Sequence, residues 1–146
     1  MLRAGAILLS LWAGFNLALA LGILFMLLVL GKNAPALLIL YGDIQATGMD
    51  PRALATLNAL AVMFNACAAA IGALSLSVIW VALIRKAVWA FWSLAVCLSF
   101  LQAAGFASDM FLGNKDLLAN AASSLLLFGG LSLTAIGMLR GTRWMA

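Results

Sequence analysis

Six of the polar side chains set among the apolar stretches bound the chemistry open to this chain. Asn58 and Asn65 stand seven residues apart, which puts them on one face of a helix. Gln102 and Asp109 share a face of a later stretch with Gly105 between them, and Asn120 and Ser124 fall in the last stretch, with Ser123 beside them. Amides and hydroxyls donate and accept hydrogen bonds without exchanging protons near neutral pH. Two arrangements suit such a set. One is a polar pocket opening outward, able to hold a lipid, a quinone or another small hydrophobic molecule. The other is a group of interhelical hydrogen bonds, each worth ~0.6 kcal/mol on average in membrane proteins. Asp109 is the only carboxylate of the six. Below the membrane interface it is a candidate proton or cation site; close to a span end it pairs with Lys115 or Arg52.

Other chemistry has less foothold. The chain has no histidine, which removes the commonest general base and the commonest metal ligand. There is no phosphate-cradling glycine loop, no zinc-binding helix motif and no nucleophile elbow, and Ser123 and Ser124 have no histidine to activate them. Asp43 and Asp50 share a loop with Gly42, Thr47 and Gly48, where they solvate the loop and cap a helix rather than act as acid and base. Cys67 and Cys97 lie at comparable distances from the outer ends of their stretches, so a thiol redox pair is the one enzymatic alternative. A thiol surrounded by hydrocarbon is a poor nucleophile, and small apolar filler is the expectation. The residues call for no metal and no cofactor.

The elements that hold these residues follow from composition. Of 146 residues, 67% are hydrophobic and 8% are charged. A soluble domain carries about 25% charge, so this chain has too little polar surface to face water. Its main solvent is lipid. The net charge of +4 is not a nucleic-acid footprint, because the cations sit at the ends of apolar stretches and form no stripe.

Four spans are predicted, at about 4–30, 52–84, 87–112 and 117–139, all within one domain covering 1–146. Each exceeds or meets the ~20 residues that cross a ~30 Å hydrocarbon core. The first begins like a signal peptide, with Arg3 ahead of an apolar run and Ala18-Leu19-Ala20 as a cleavage mimic. The run continues to Leu30, longer than a signal core, and a span is expected. Asp50 can cap the second span with Pro51 in its first turn. Pro35 and Gly42 bracket the short apolar segment Ala36–Tyr41, which predicts a brief interfacial helix in the first outer loop. The connections Arg85-Lys86 and Gly113–Asp116 are short, so spans two, three and four are expected to pack as successive hairpins.

Charge sets the orientation. Arg3, Arg85, Lys86, Arg140 and Arg143 flank one set of span ends; Lys32, Arg52 and Lys115 flank the other. The richer side is expected in the cytoplasm, together with both termini. Trp80, Trp89, Trp92 and Trp144 cluster at those same ends, as an interfacial belt does, and all four acids fall at the opposite ends. Small residues mark faces for close helix approach: Gly14, Ala18 and Gly22 in span one, Ala68 and Gly72 in span two, Gly130 and Gly137 in span four. Asn16, one turn after Trp12, needs a hydrogen-bond partner within the bundle or on another protein.

The fold expected is therefore all-α, an integral membrane four-helix bundle. The stretches Gly31-Lys32-Asn33-Ala34-Pro35-Ala36-Leu37 and Gln102-Ala103-Ala104-Gly105-Phe106-Ala107-Ser108-Asp109, set in that architecture, resemble the small four-helix bacterial inner-membrane proteins grouped as DoxX-like; the architecture alone also resembles the BphX-like group found with aromatic-degradation genes. The resemblance implies a multi-pass protein of the bacterial cytoplasmic membrane and transfers no catalytic residue. The function expected is that of a non-catalytic accessory or assembly subunit, with other membrane subunits or further copies of itself as partners besides the bilayer. The alternative is binding or transport of a small hydrophobic ligand through Asn58, Asn65, Gln102, Asp109, Asn120 and Ser124.

Overall fold

The computed structural model describes residues 1–30, 50–112 and 117–142. Every regular element among them is helical: α1 (Leu2–Leu30), α2 (Pro51–Val78, continued by a π turn over Ile79–Leu83), α3 (Val88–Leu112) and α4 (Leu117–Thr142). All four are long and apolar enough to cross a membrane. The helix ends lie within three residues of the ends of the four apolar stretches. The segment around Pro35–Tyr41, together with Arg143 and Trp144, lies outside the described residues.

Local chemistry explains the boundaries of α2. Asp50 is its N-cap, with the carboxylate accepting from the Arg52 backbone N–H at 3.3 Å, and Pro51 occupies the first turn. At the other end the Ala87 N–H reaches back to the Ala82 carbonyl at 3.1 Å, and the Lys86 N–H reaches the Leu83 carbonyl at 2.9 Å. These are the paired bonds of a Schellman stop. Lys86 fills the left-handed position of that motif, at φ 60. A side chain there pays a steric cost that glycine avoids. Lys86→Gly is therefore expected to raise stability by about 1 kcal/mol, read as a higher unfolding midpoint in detergent.

Spans two, three and four meet as successive hairpins, and α1 adds larger interfaces. The most extensive are those of α1 with α2 and of α1 with α4. Small residues account for this. A Cβ added at Gly130 would stand 2.9 Å from the Leu9 side chain and 3.1 Å from the Leu9 backbone nitrogen, and one at Gly72 would stand 3.0 Å from Leu17 and 3.3 Å from the Ala13 carbonyl. Gly137 meets Leu2 in the same close way. Where lipid supplies no hydrophobic drive between helices, van der Waals contact at such seams holds them together. Gly14 and Gly22 differ: a Cβ there would meet nothing within 4 Å, and Ala18 between them is exposed. That line of small residues faces away from the bundle.

The core has two sections. Near one end, Ala6, Leu9, Trp12 and Ala13 of α1 join Ile79, Leu83, Ala90, Leu94, Leu98, Leu127 and Leu131, so all four spans contribute. Further along α1, Ala20 packs with Ala68 and Ala69, and Ile23 and Leu27 pack with Ala61 and Val62. Among the described residues those outer clusters are made by α1 and α2 alone.

Candidate functional site

The polar interior centres on α1, where Trp12 is 2% exposed. Its one indole N–H donates to the Ser123 hydroxyl at 2.9 Å and, more weakly, to the Gln102 side-chain carbonyl at 3.3 Å. Ser123 donates in turn to that carbonyl at 2.9 Å. The Gln102 amide nitrogen donates to the Ser124 hydroxyl at 3.1 Å. The result is a connected set on α1, α3 and α4 in which the Gln102 oxygen accepts from both the indole and Ser123. Trp12 lies ten residues beyond Leu2, ~15 Å along the axis. A buried indole N–H has no water to bond, so a protein acceptor decides how the helices dock.

Of the predicted site residues, the structure brings Gln102 and Ser124 into direct contact. Asn65 is buried but bonds within its own helix, donating to the Ala61 carbonyl at 2.9 Å. It stands between Ala68 and the pair Ala61 and Val62, whose partners on α1 are Ala20, Ile23 and Leu27. Asn65 is therefore at least eight α1 residues beyond Trp12, or ~12 Å at ~1.5 Å per residue. Asn58 lies further out again, half-buried, with its side-chain oxygen enclosed and without a hydrogen-bond partner. Asn120 is half-buried on α4 and is not unpartnered. Asp109 belongs to α3, and its side chain lies outside the described residues. Four of the six candidates thus fall in two places, Gln102 and Ser124 on the three-helix network and Asn65 and Asn58 along α2.

Other residues find simpler roles. Asn16 donates to the Trp12 carbonyl at 2.8 Å, one turn back on its own helix. Thr134 is fully buried and donates to the Gly130 carbonyl at 2.8 Å. Cys67 and Cys97 are free thiols on the exposed sides of their helices, so they fill no core space. Among the described residues no three potential metal ligands come together.

Trp12 and Ser123 are the members of the network missing from the predicted set. A signal for Trp12 was present. The other tryptophans, Trp80, Trp89, Trp92 and Trp144, sit near span ends, whereas Trp12 is well inside its span. An indole that deep needs an acceptor, and the candidates in apolar sequence are few. Set against family models, curated proteins and solved structures, the chain matches none.

Proposed function

We propose that this chain is a non-catalytic, multi-pass protein of the bacterial inner membrane, an accessory or assembly subunit of a membrane complex. The observation that carries the proposal is the Trp12–Gln102–Ser123–Ser124 set, because its side-chain hydrogen bonds run between α1, α3 and α4. Such a network fixes which helices meet and at what register, the best-attested use of buried polar groups in a bundle. The outward line of Gly14, Ala18 and Gly22 supports the same reading, since it leaves a smooth strip on α1 at which another helix can approach closely. In this proposal both termini and the Arg85-Lys86 turn face the cytoplasm. The DoxX-like resemblance fits the reading without adding an activity.

Native mass spectrometry on gently solubilised membranes tests it. The expected result is the chain in fixed stoichiometry with one or more other membrane subunits. A lone monomer carrying a small hydrophobic molecule would overturn the proposal in favour of ligand binding. One observation favours that second reading: the enclosed, unpartnered oxygen of Asn58 at the outer end of the α1–α2 pair. A hydroxyl or amide of a bound lipid or quinone would satisfy it, and Asn58→Leu would then lower ligand retention.

A further inference from the structure

The described cations at one end of the bundle have no acidic counterpart. Arg3, Arg85 and Lys86 are all exposed. They share an end, because Ala6 and Leu9, just after Arg3, pack with Ile79 and Leu83, just before Arg85. The acids of the chain are Asp43, Asp50, Asp109 and Asp116. Asp50 opens α2 and Asp109 is near the last turn of α3, both at the far end, while Asp43 and Asp116 fall in the connections joining α1 to α2 and α3 to α4. Among the described residues Arg3, Arg85 and Lys86 therefore have no carboxylate beside them.

The same rim carries three aromatic side chains. Trp80, Trp89 and Trp92 are 54%, 62% and 62% exposed. Their amphipathic rings suit headgroup depth, with the ring body in hydrocarbon and the indole N–H toward water. Lys86 adds a further observation. It holds a left-handed backbone position that glycine would fill more easily, yet the residue there is a cation. The fold asks for one residue type at the tip of that turn and the sequence supplies another, which points to a use for the charge.

We propose that this rim is a docking surface for anionic phospholipid headgroups, centred on Arg85 and Lys86 and flanked by Arg3, Trp80, Trp89 and Trp92. Guanidinium and ammonium groups meet the phosphodiester, and the indoles pack beside the glycerol and upper acyl carbons. Charge complementarity selects an anionic over a zwitterionic lipid. The proposal does not rest on the subunit reading and survives if that reading fails.

The test uses the full chain in a mild non-ionic detergent. Native mass spectrometry follows binding of phosphatidylglycerol and of phosphatidylcholine with identical acyl chains. The wild type is expected to retain the anionic lipid preferentially. Each cation removed is expected to cut that preference about fivefold, so Arg85→Gln with Lys86→Gly together cut it roughly 25-fold. Raised salt is expected to weaken it further. Lys86→Gly suits the backbone at that position, and circular dichroism with an unfolding midpoint checks the fold. Should the double variant not fold, Lys86→Gly and Arg3→Gln are read singly. Arg52→Gln, at the opposite end, is expected to leave the preference unchanged. Equal retention of the two lipids by the wild type would overturn the proposal. So would an undiminished preference in the folded variants, or an equal loss in Arg52→Gln. Displacement of the lipid by inorganic phosphate, beyond that caused by chloride at matched ionic strength, would overturn it in favour of a small-anion site.

Discussion

Trp12→Ala is expected to destabilise the bundle by about 3 kcal/mol, the lower end of the range for deleting a buried tryptophan. The lower end applies because lipid is as apolar as the core, so moving the ring out of the protein forfeits little transfer energy. What remains is the cavity and the lost dispersion contacts with neighbours such as Leu9 and Leu98, together with two hydrogen bonds. Trp12→Phe keeps most of the volume but removes the indole nitrogen with its N–H and two ring carbons. Its expected cost is about 2 kcal/mol, the lost hydrogen bonding plus a small cavity. Gln102→Leu removes the shared acceptor and leaves Ser123 as the remaining partner of the indole. Trp12 and Gln102 belong to one network, so their effects should not add. Unfolding of Trp12→Phe, Gln102→Leu and the double variant, measured by denaturing-detergent titration or steric trapping, is expected to give a coupling of about 0.5–1 kcal/mol. Additivity within about 0.3 kcal/mol would mean that the network does not act as a unit.

The contrast between what was legible in the sequence and what was not has one physical source. Span positions were legible because length and apolar continuity are enough to mark a membrane helix. The start of α2 was legible because Asp50 and Pro51 are a local signal. Helix pairing was not, because a lipid-facing surface and a core-facing surface are equally apolar here. In α1 the exposed Phe15 and Leu19 differ little in chemistry from the buried Leu9 and Ile23. A helix apolar all round has no stripe to show which side is inward. Small residues were a partial substitute. They mark the Gly72, Gly130 and Gly137 seams, but Gly14, Ala18 and Gly22, with the four-residue step of Ala68 and Gly72, face outward. The levels of the polar residues are not legible for a related reason: relative helix register is set by packing. The register set by Trp12, Gln102 and Ser123 puts Asn65 well beyond the network. The position of Trp12 signals the need for an acceptor, but its partners lie ninety and more residues away in sequence, so no local pattern names them.

That outward line gives an internal control for the second large effect. Gly5→Ala is expected to cost about 2–3 kcal/mol, the usual scale of overpacking at a tight seam. Its new methyl would meet the Thr134 hydroxyl and stand 2.7 Å from both the Gly130 carbonyl oxygen and the Thr134 backbone nitrogen. Two of those three atoms are backbone, so no rotamer change clears the site. Relief requires α1 to move away from α4, which also stretches the Trp12–Ser123 bond on the same interface. Adding Thr134→Ala should recover only a fraction of the loss, because the hydroxyl leaves while the backbone atoms stay. Gly14→Ala carries the identical chemical change on the same helix, nine residues on, where nothing lies within 4 Å. There only helix propensity operates, and alanine is expected to be neutral or to stabilise by up to about 1 kcal/mol. Both variants are measured in the same detergent as shifts in the unfolding midpoint. The predicted order is Gly14→Ala at or above wild type and Gly5→Ala far below it. Equal midpoints for the two would place the tight α1–α4 seam somewhere other than at Gly5. If Gly14→Ala proves damaging only in native membranes, and not in the purified chain, the strip of Gly14, Ala18 and Gly22 is occupied by a neighbouring helix, as the subunit proposal requires.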